Sequence, residues 1–158
     1  MNQKILRILA AAGLAVDAYV HADLAGQFDG NGTHVTEGTL FRLQAALAAL
    51  AALWVLLRGR RLAAAFALLI SASALGALLL YRYVDVGAIG PLPNMYEPVW
   101  YTEKTVAAIA EAVAVVASAA LLLVQLVPRR GRNRVAGTPD EGLAGVHGSD
   151  AVVRDHRR

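Results

Sequence analysis

The chain has 158 residues, of which 57% are hydrophobic and 17% charged, with no cysteine and a formal net charge of +3. Soluble domains are about 45–50% apolar and about 25% charged, so this balance excludes an ordinary soluble domain. The lack of cysteine excludes disulfides, thiol nucleophiles, iron–sulfur clusters and Cys-based zinc sites, and with them the four-helix membrane enzymes that pass electrons through a Cys-x-x-Cys pair.

The apolar residues fall into four blocks, at about residues 5–24, 39–57, 62–81 and 105–127. Each is close to the roughly 20 residues that a helix needs to cross about 30 Å of hydrocarbon. They are rich in Ala and Leu, and lack the alternation that strands require. The expected fold is all-α: a transmembrane four-helix bundle running up-down-up-down over residues 1–127. The short link at residues 58–61 makes the second and third helices antiparallel neighbours. Gly13 on the first helix, and Ser71, Ser73 and Gly76 on the third, are small enough to permit close packing.

The first block has a second reading. Lys4 and Arg7 form a basic start, and Val16-Asp17-Ala18 loosely resembles a signal-peptidase site. The apolar run is long for a signal peptide and Asp17 interrupts it, so retention as a membrane helix is expected.

Basic residues flank the blocks, which is a pattern of membrane topology and not of nucleic-acid binding. Lys4 and Arg7 precede the first helix; Arg58, Arg60 and Arg61 join the second and third; Arg129, Arg130, Arg132 and Arg134 follow the fourth. The other two loops carry Asp23, Asp29 and Glu37, then Asp85, Glu97 and Glu103 against Lys104. The positive-inside bias puts both termini in the cytoplasm and these two loops outside.

The first outer loop contains Asp29-Gly30-Asn31-Gly32, which is turn chemistry. Its spacing resembles half of a calcium loop, but His34 stands where Gly is needed and Leu40 where Glu is needed. The second holds Pro91, Pro93 and Pro98 among Tyr96, Trp100 and Tyr101. Such aromatic residues anchor helices at the headgroup zone. A ligand-contacting cap made of Tyr96, Glu97, Trp100, Tyr101 and Glu103 is the sharper alternative. Residues 128–158 have no apolar period and read as a disordered cytoplasmic tail, with His147 and His156 as solvated residues.

The segments Thr39-Leu-Phe-Arg42, Tyr81-Arg-Tyr-Val-Asp-Val-Gly87 and Gly90-Pro-Leu-Pro-Asn-Met-Tyr-Glu-Pro-Val-Trp-Tyr-Thr-Glu-Lys104 resemble uncharacterised small four-helix integral membrane proteins of actinobacteria. The resemblance covers about residues 5–126 and is most specific in the proline-rich segment. It implies four spans and a bacterial plasma membrane, and transfers no activity.

A charge within a span costs roughly 2.5–3.5 kcal/mol on insertion scales and marks a functional candidate. Asp17, His21, Arg42, Arg82 and Glu111 all fall in the outer half of the bundle. One reading is a structural network in which Arg42 and Arg82 neutralise Asp17 and Glu111, with His21 bonded to Asp17. Another is a proton- or ligand-linked site. Asp17, His21 and Glu111 are acceptable ligands for zinc or manganese. However, the sole intramembrane His and the lack of a His-x-x-x-His or Glu-x-x-His motif leave no metal set assigned. No nucleophile–base arrangement, phosphate loop or dinucleotide fingerprint is visible.

The expected function is therefore non-enzymatic: an accessory, scaffold or sensor subunit. The alternatives are a small proton-coupled transporter using Asp17 and Glu111, and a haem- or quinone-binding redox subunit. Asp17 is placed somewhat like the essential carboxylate of small multidrug-resistance exporters, from which the fixed topology and long outer loops depart. The partners expected are the lipid bilayer and other membrane subunits or further copies of this chain. No cofactor is specified.

Overall fold

The computed structural model describes residues 2–32 and 34–127. Four helices occupy most of this unit: α1 (Gln3–Leu24), α2 (Glu37–Arg58), α3 (Arg61–Tyr83) and α4 (Thr102–Leu126). Strands are absent from the described residues, apart from a single bridge between Ile89 and Leu92 at a turn through Gly90, where φ is +58°. The expected tail at residues 128–158 lies outside the described residues.

Each helix extends beyond its apolar block at one end or both. The sequence places the boundaries where hydropathy falls, but α1 and α2 begin where polar caps start them. Asn2 caps α1 by accepting from the Lys4 N–H at 3.1 Å, and Thr36 caps α2 by accepting from the Thr39 N–H at 3.1 Å. Helix α2 stops at Gly59, whose φ of +46° is left-handed and turns the chain at once into α3.

The helices pack as a closed ring in chain order, with α1 against α2 and α4, and α3 against α4 and α2. The α1–α4 contact is the most extensive and the α2–α3 contact the least. The short link thus makes α2 and α3 neighbours without making them the tightest pair.

All four helices are long and apolar enough to span a membrane. Their packing agrees with that solvent. The interior is largely alanine, including Ala10, Ala48, Ala51, Ala64, Ala67 and Ala114, while Leu57, Leu62, Leu69, Val116 and Leu123 face outward. A bundle in water would bury the larger side chains. In lipid there is no such drive, and close backbone approach over small residues holds helices together. Gly13 shows the approach directly: a Cβ there would lie 2.6 Å from the Ala110 carbonyl oxygen. Gly76 lies in open space, contrary to the close packing expected of it, and Ser73 is exposed with its hydroxyl bonded to the Leu69 carbonyl. Only Ser71 of that trio is buried.

The two ends of the bundle are tied differently. At the end that carries the α2–α3 link, the Arg7 guanidinium donates to the carbonyls of Val55 and Leu56. There Arg61 Nε donates to the Gln125 carbonyl at 3.0 Å, and Gln125 Nε2 donates to the Gly59 carbonyl at 2.7 Å. These donors satisfy carbonyls that helix C-termini leave open. At the opposite end, called here the loop end, the two long connections meet. Asn31 Nδ2 donates to Glu37 Oε2 at 2.6 Å and to the Asn94 carbonyl at 3.1 Å, and the Glu97 N–H donates to the Tyr81 carbonyl.

Candidate functional site

Asp17 lies seven residues before the end of α1, about 10 Å along the axis at 1.5 Å per residue. Glu111 lies nine residues into α4, at about 13 Å by the same rise. The close α1–α4 approach at Gly13 and Ala110 brings these positions together. Both carboxylates are fully buried. With His21 they form a cluster whose ligand atoms all lie within 4.8 Å of one another.

Helical spacing sets His21 one turn beyond Asp17 on the same face. Its Nδ1 lies 2.8 Å from Asp17 Oδ1 and 3.0 Å from the Asp17 carbonyl oxygen. The carbonyl has the hydrogen-bond alignment, which leaves Oδ1 without a hydrogen bond. Phe41 meets the imidazole edge-on, with ring centroids 5.1 Å apart. Gln44 Nε2 donates to Asp17 Oδ2 at 2.8 Å. Neither oxygen of Glu111 has a hydrogen-bond partner.

The two arginines do not join this cluster, which overturns the expected ion-pair network. Arg42 makes a bidentate pair with Asp29, at 2.7 and 2.6 Å, near the surface. Its position in the first turns of α2 puts it closer to the first long loop than to the bundle interior. This guanidinium holds the Asp29 carboxyl below the ordinary aspartate range. Arg82 lies over the rings of Tyr83 and Trp100, at 4.9 and 5.5 Å to the centroids. Three of the five residues come together; Arg42 turns to Asp29 in the loop, and Arg82, one residue from the end of α3, lies shallower than Asp17 and Glu111.

Above the cluster, towards the loop end, is a cavity of about 270 Å³. All four helices line it, through Leu24, Phe41, Leu78 and Ala107 among others. His21 and Gln44 belong to both the cavity wall and the cluster, so they form its floor. Its upper wall holds Glu37, Met95, Glu97, Tyr101 and Lys104. Of the five residues expected as a cap, Glu97 and Tyr101 line the cavity. Tyr96 and Trp100 are exposed, as is Glu103. The alternation of in and out along this prolyl segment carries no sequence period, which is why the set could not be divided beforehand. Burial, and next the carboxylates of Glu97, Glu37 and Glu103, push the Tyr101 phenol above its ordinary value.

Lys104 is buried, and its ammonium donates to the carbonyls of Glu97 and Val99. Sequence reasoning missed Lys104 and Glu37 as wall residues, and Gln44 as the partner of Asp17. Lys104 and Glu37 sit at helix starts, where charges are ordinarily solvated. The two long connections meet there: Asn31 bonds Glu37, and the prolyl segment bonds Lys104. Gln44 did carry a signal: it is a polar residue at the same depth as Asp17 on the adjoining helix.

No family model, curated protein or solved structure matches this chain.

Proposed function

We propose that the protein is a non-enzymatic sensor or accessory subunit of a bacterial plasma membrane, with both termini cytoplasmic, which admits a small cationic species from outside. The observation that carries this reading is the charge balance of the loop-end cavity. Four carboxylates, of Asp17, Glu111, Glu37 and Glu97, lie in or beneath it, against the single ammonium of Lys104. Two buried carboxylates this close cannot both stay charged unless a cation joins them; otherwise they share a proton. The cavity volume falls just below the usual range for drug-sized ligands, which suits a small solute. The resemblance to actinobacterial membrane proteins supports the bacterial membrane, and the flanking Lys and Arg residues support the orientation.

Ala77 lines the cavity, and the chain has no native cysteine to interfere. In intact cells an Ala77→Cys variant should react faster with a cationic, impermeant thiosulfonate than with an anionic one of similar size. Adding Glu111→Gln should reduce that preference. Equal rates for the two reagents would remove the basis for a cation-selective cavity.

A second reading, a small proton-coupled transporter, draws on the same carboxylates. Proton-driven uptake into vesicles that stops on Glu111→Gln separates it from a sensor.

A further inference from the structure

We propose that Asp17, His21 and Glu111 form a binding site for a divalent transition-metal cation, Zn²⁺ or Mn²⁺. This deepens the reading of the cavity as a cation site and rests on it only for the route of access.

The first ground is unmet bonding capacity. Glu111 is wholly buried, and both of its oxygens lack a partner. Asp17 is wholly buried too, and its Oδ1 lacks a hydrogen bond. Buried carboxylate oxygens are ordinarily satisfied, and several orphans aimed into one small space point to a missing partner. The second ground is charge. Arg42 is paired with Asp29, Lys104 is held by backbone carbonyls, and Arg82 stacks on aromatic rings. None of them offsets Asp17 or Glu111, and His21, 2.8 Å from Asp17 Oδ1, offsets Asp17 only when it is protonated. A single shared proton would compensate one carboxylate. A divalent cation would compensate both and take one oxygen from each carboxylate.

The third ground is geometry. The ligand atoms lie within 4.8 Å of one another. Zinc–oxygen and zinc–nitrogen bonds of about 2.0–2.2 Å place tetrahedral ligands about 3.4 Å apart, so the His21–Asp17 pair at 2.8 Å would open and the wider pairs would close by side-chain shifts on the order of 1 Å. Two carboxylates with one imidazole form a mixed O/N set suited to Zn²⁺ or Mn²⁺.

The surroundings fit as well. Gln44 donates to Asp17 Oδ2 and so leaves Oδ1 to face the ion, the role outer partners play around metal ligands. The Phe41 edge limits how the imidazole can turn. Ligation through Nδ1 requires the ring proton on Nε2, the opposite tautomer to the one that donates to the Asp17 carbonyl. Three protein ligands leave a fourth position for water or a solute, and His21 puts that position beside the cavity.

The test uses the full-length protein, purified in detergent, stripped with a chelator and dialysed against Zn²⁺ or Mn²⁺ alone. Elemental analysis should find about one ion per chain, with micromolar or tighter binding. Glu111→Gln and Asp17→Asn should each weaken binding about 100-fold or more, and Gln44→Leu about 10- to 100-fold. Gln44→Leu keeps both charges, so it carries the test if a carboxylate variant does not fold. Cobalt loaded in place of zinc should give visible ligand-field bands that His21→Gln alters. Changing both His147 and His156 to Asn should leave binding unchanged, which separates this site from ligands elsewhere in the chain. Lack of stoichiometric binding, or binding that survives both Glu111→Gln and Gln44→Leu, overturns the metal site. The cation preference at Ala77→Cys is read separately. If that preference holds while no metal binds, the metal site alone fails; if metal binds without it, the cavity reading alone fails.

Discussion

At Glu111 the decisive quantity is the number of partners, which is zero for both oxygens. A buried ion pair broken by mutation costs about 3–5 kcal/mol, because it strands the other charge. That argument would apply to Asp17 and Glu111 if an arginine faced them, but Arg42 and Arg82 are engaged elsewhere. The sign therefore reverses in metal-free protein. Without a metal, two carboxylates this close must share a proton; Glu111→Gln removes the cost of holding it, and the amide can donate to Asp17 Oδ1 at any pH. In chelator at neutral pH this variant should be more stable than wild type by about 1–2 kcal/mol, the usual net value of a hydrogen bond gained at a buried acceptor. Thermal or denaturant unfolding in detergent measures it. A loss of stability of the same size would mean that a cation partner had been stranded, as in the ion-pair model.

At the level of elements, the α1–α4 interface decides where the carboxylates meet. A glycine inside a helix ordinarily costs about 1 kcal/mol relative to alanine, so Gly→Ala in a helix interior is often stabilising. Gly13 should behave oppositely. Its added Cβ would meet the Ala110 carbonyl oxygen at 2.6 Å and the Ala114 nitrogen at 3.0 Å, both backbone atoms that cannot swing aside. Gly13→Ala should destabilise the bundle by about 1–3 kcal/mol, the usual range for overpacking. Gly76→Ala, in open space, should be neutral or mildly stabilising. Thermal unfolding of the two variants side by side checks the contrast, and equal effects would show that α1 and α4 are not in backbone contact. Because Ala110 adjoins Glu111, Gly13→Ala should also spread the carboxylate cluster.

For the whole molecule, the end carrying the α2–α3 link is basic and the loop end is acidic. Arg7 and Arg61 serve twice there, since they flank spans and also satisfy helix carbonyls. The orientation proposed from this asymmetry has a direct measurement. Gly30 is exposed, and a Cβ added to it meets nothing within 4 Å, so a reporter there is structurally silent. Gly30→Cys should react with an impermeant thiol reagent in intact cells, and Gly137→Cys should react only after the membrane is opened. The reverse pattern would invert the protein and put the cavity on the cytoplasmic side.

What the sequence determined by itself follows from properties that are local along the chain. Four runs of about 20 apolar residues specify four spans, because length and hydropathy alone decide whether a helix crosses hydrocarbon. The short Arg58-Gly59-Arg60-Arg61 link specifies antiparallel neighbours. The depth of Asp17 and of Glu111 is likewise a count of residues from a helix end. Azimuth is not local: which way Arg42 faces depends on how its helix is rotated against its neighbours. In an alanine-rich bundle whose helices are apolar on nearly every side, the sequence barely encodes that rotation. The tertiary structure decided it through the Gly13–Ala110 approach, which seats Asp17 against Glu111, and through Asp29, which draws Arg42 out to the loop. The same holds for Glu37 and Lys104, buried at two helix starts where Asn31 of the first loop meets Glu37 and the prolyl loop meets Lys104.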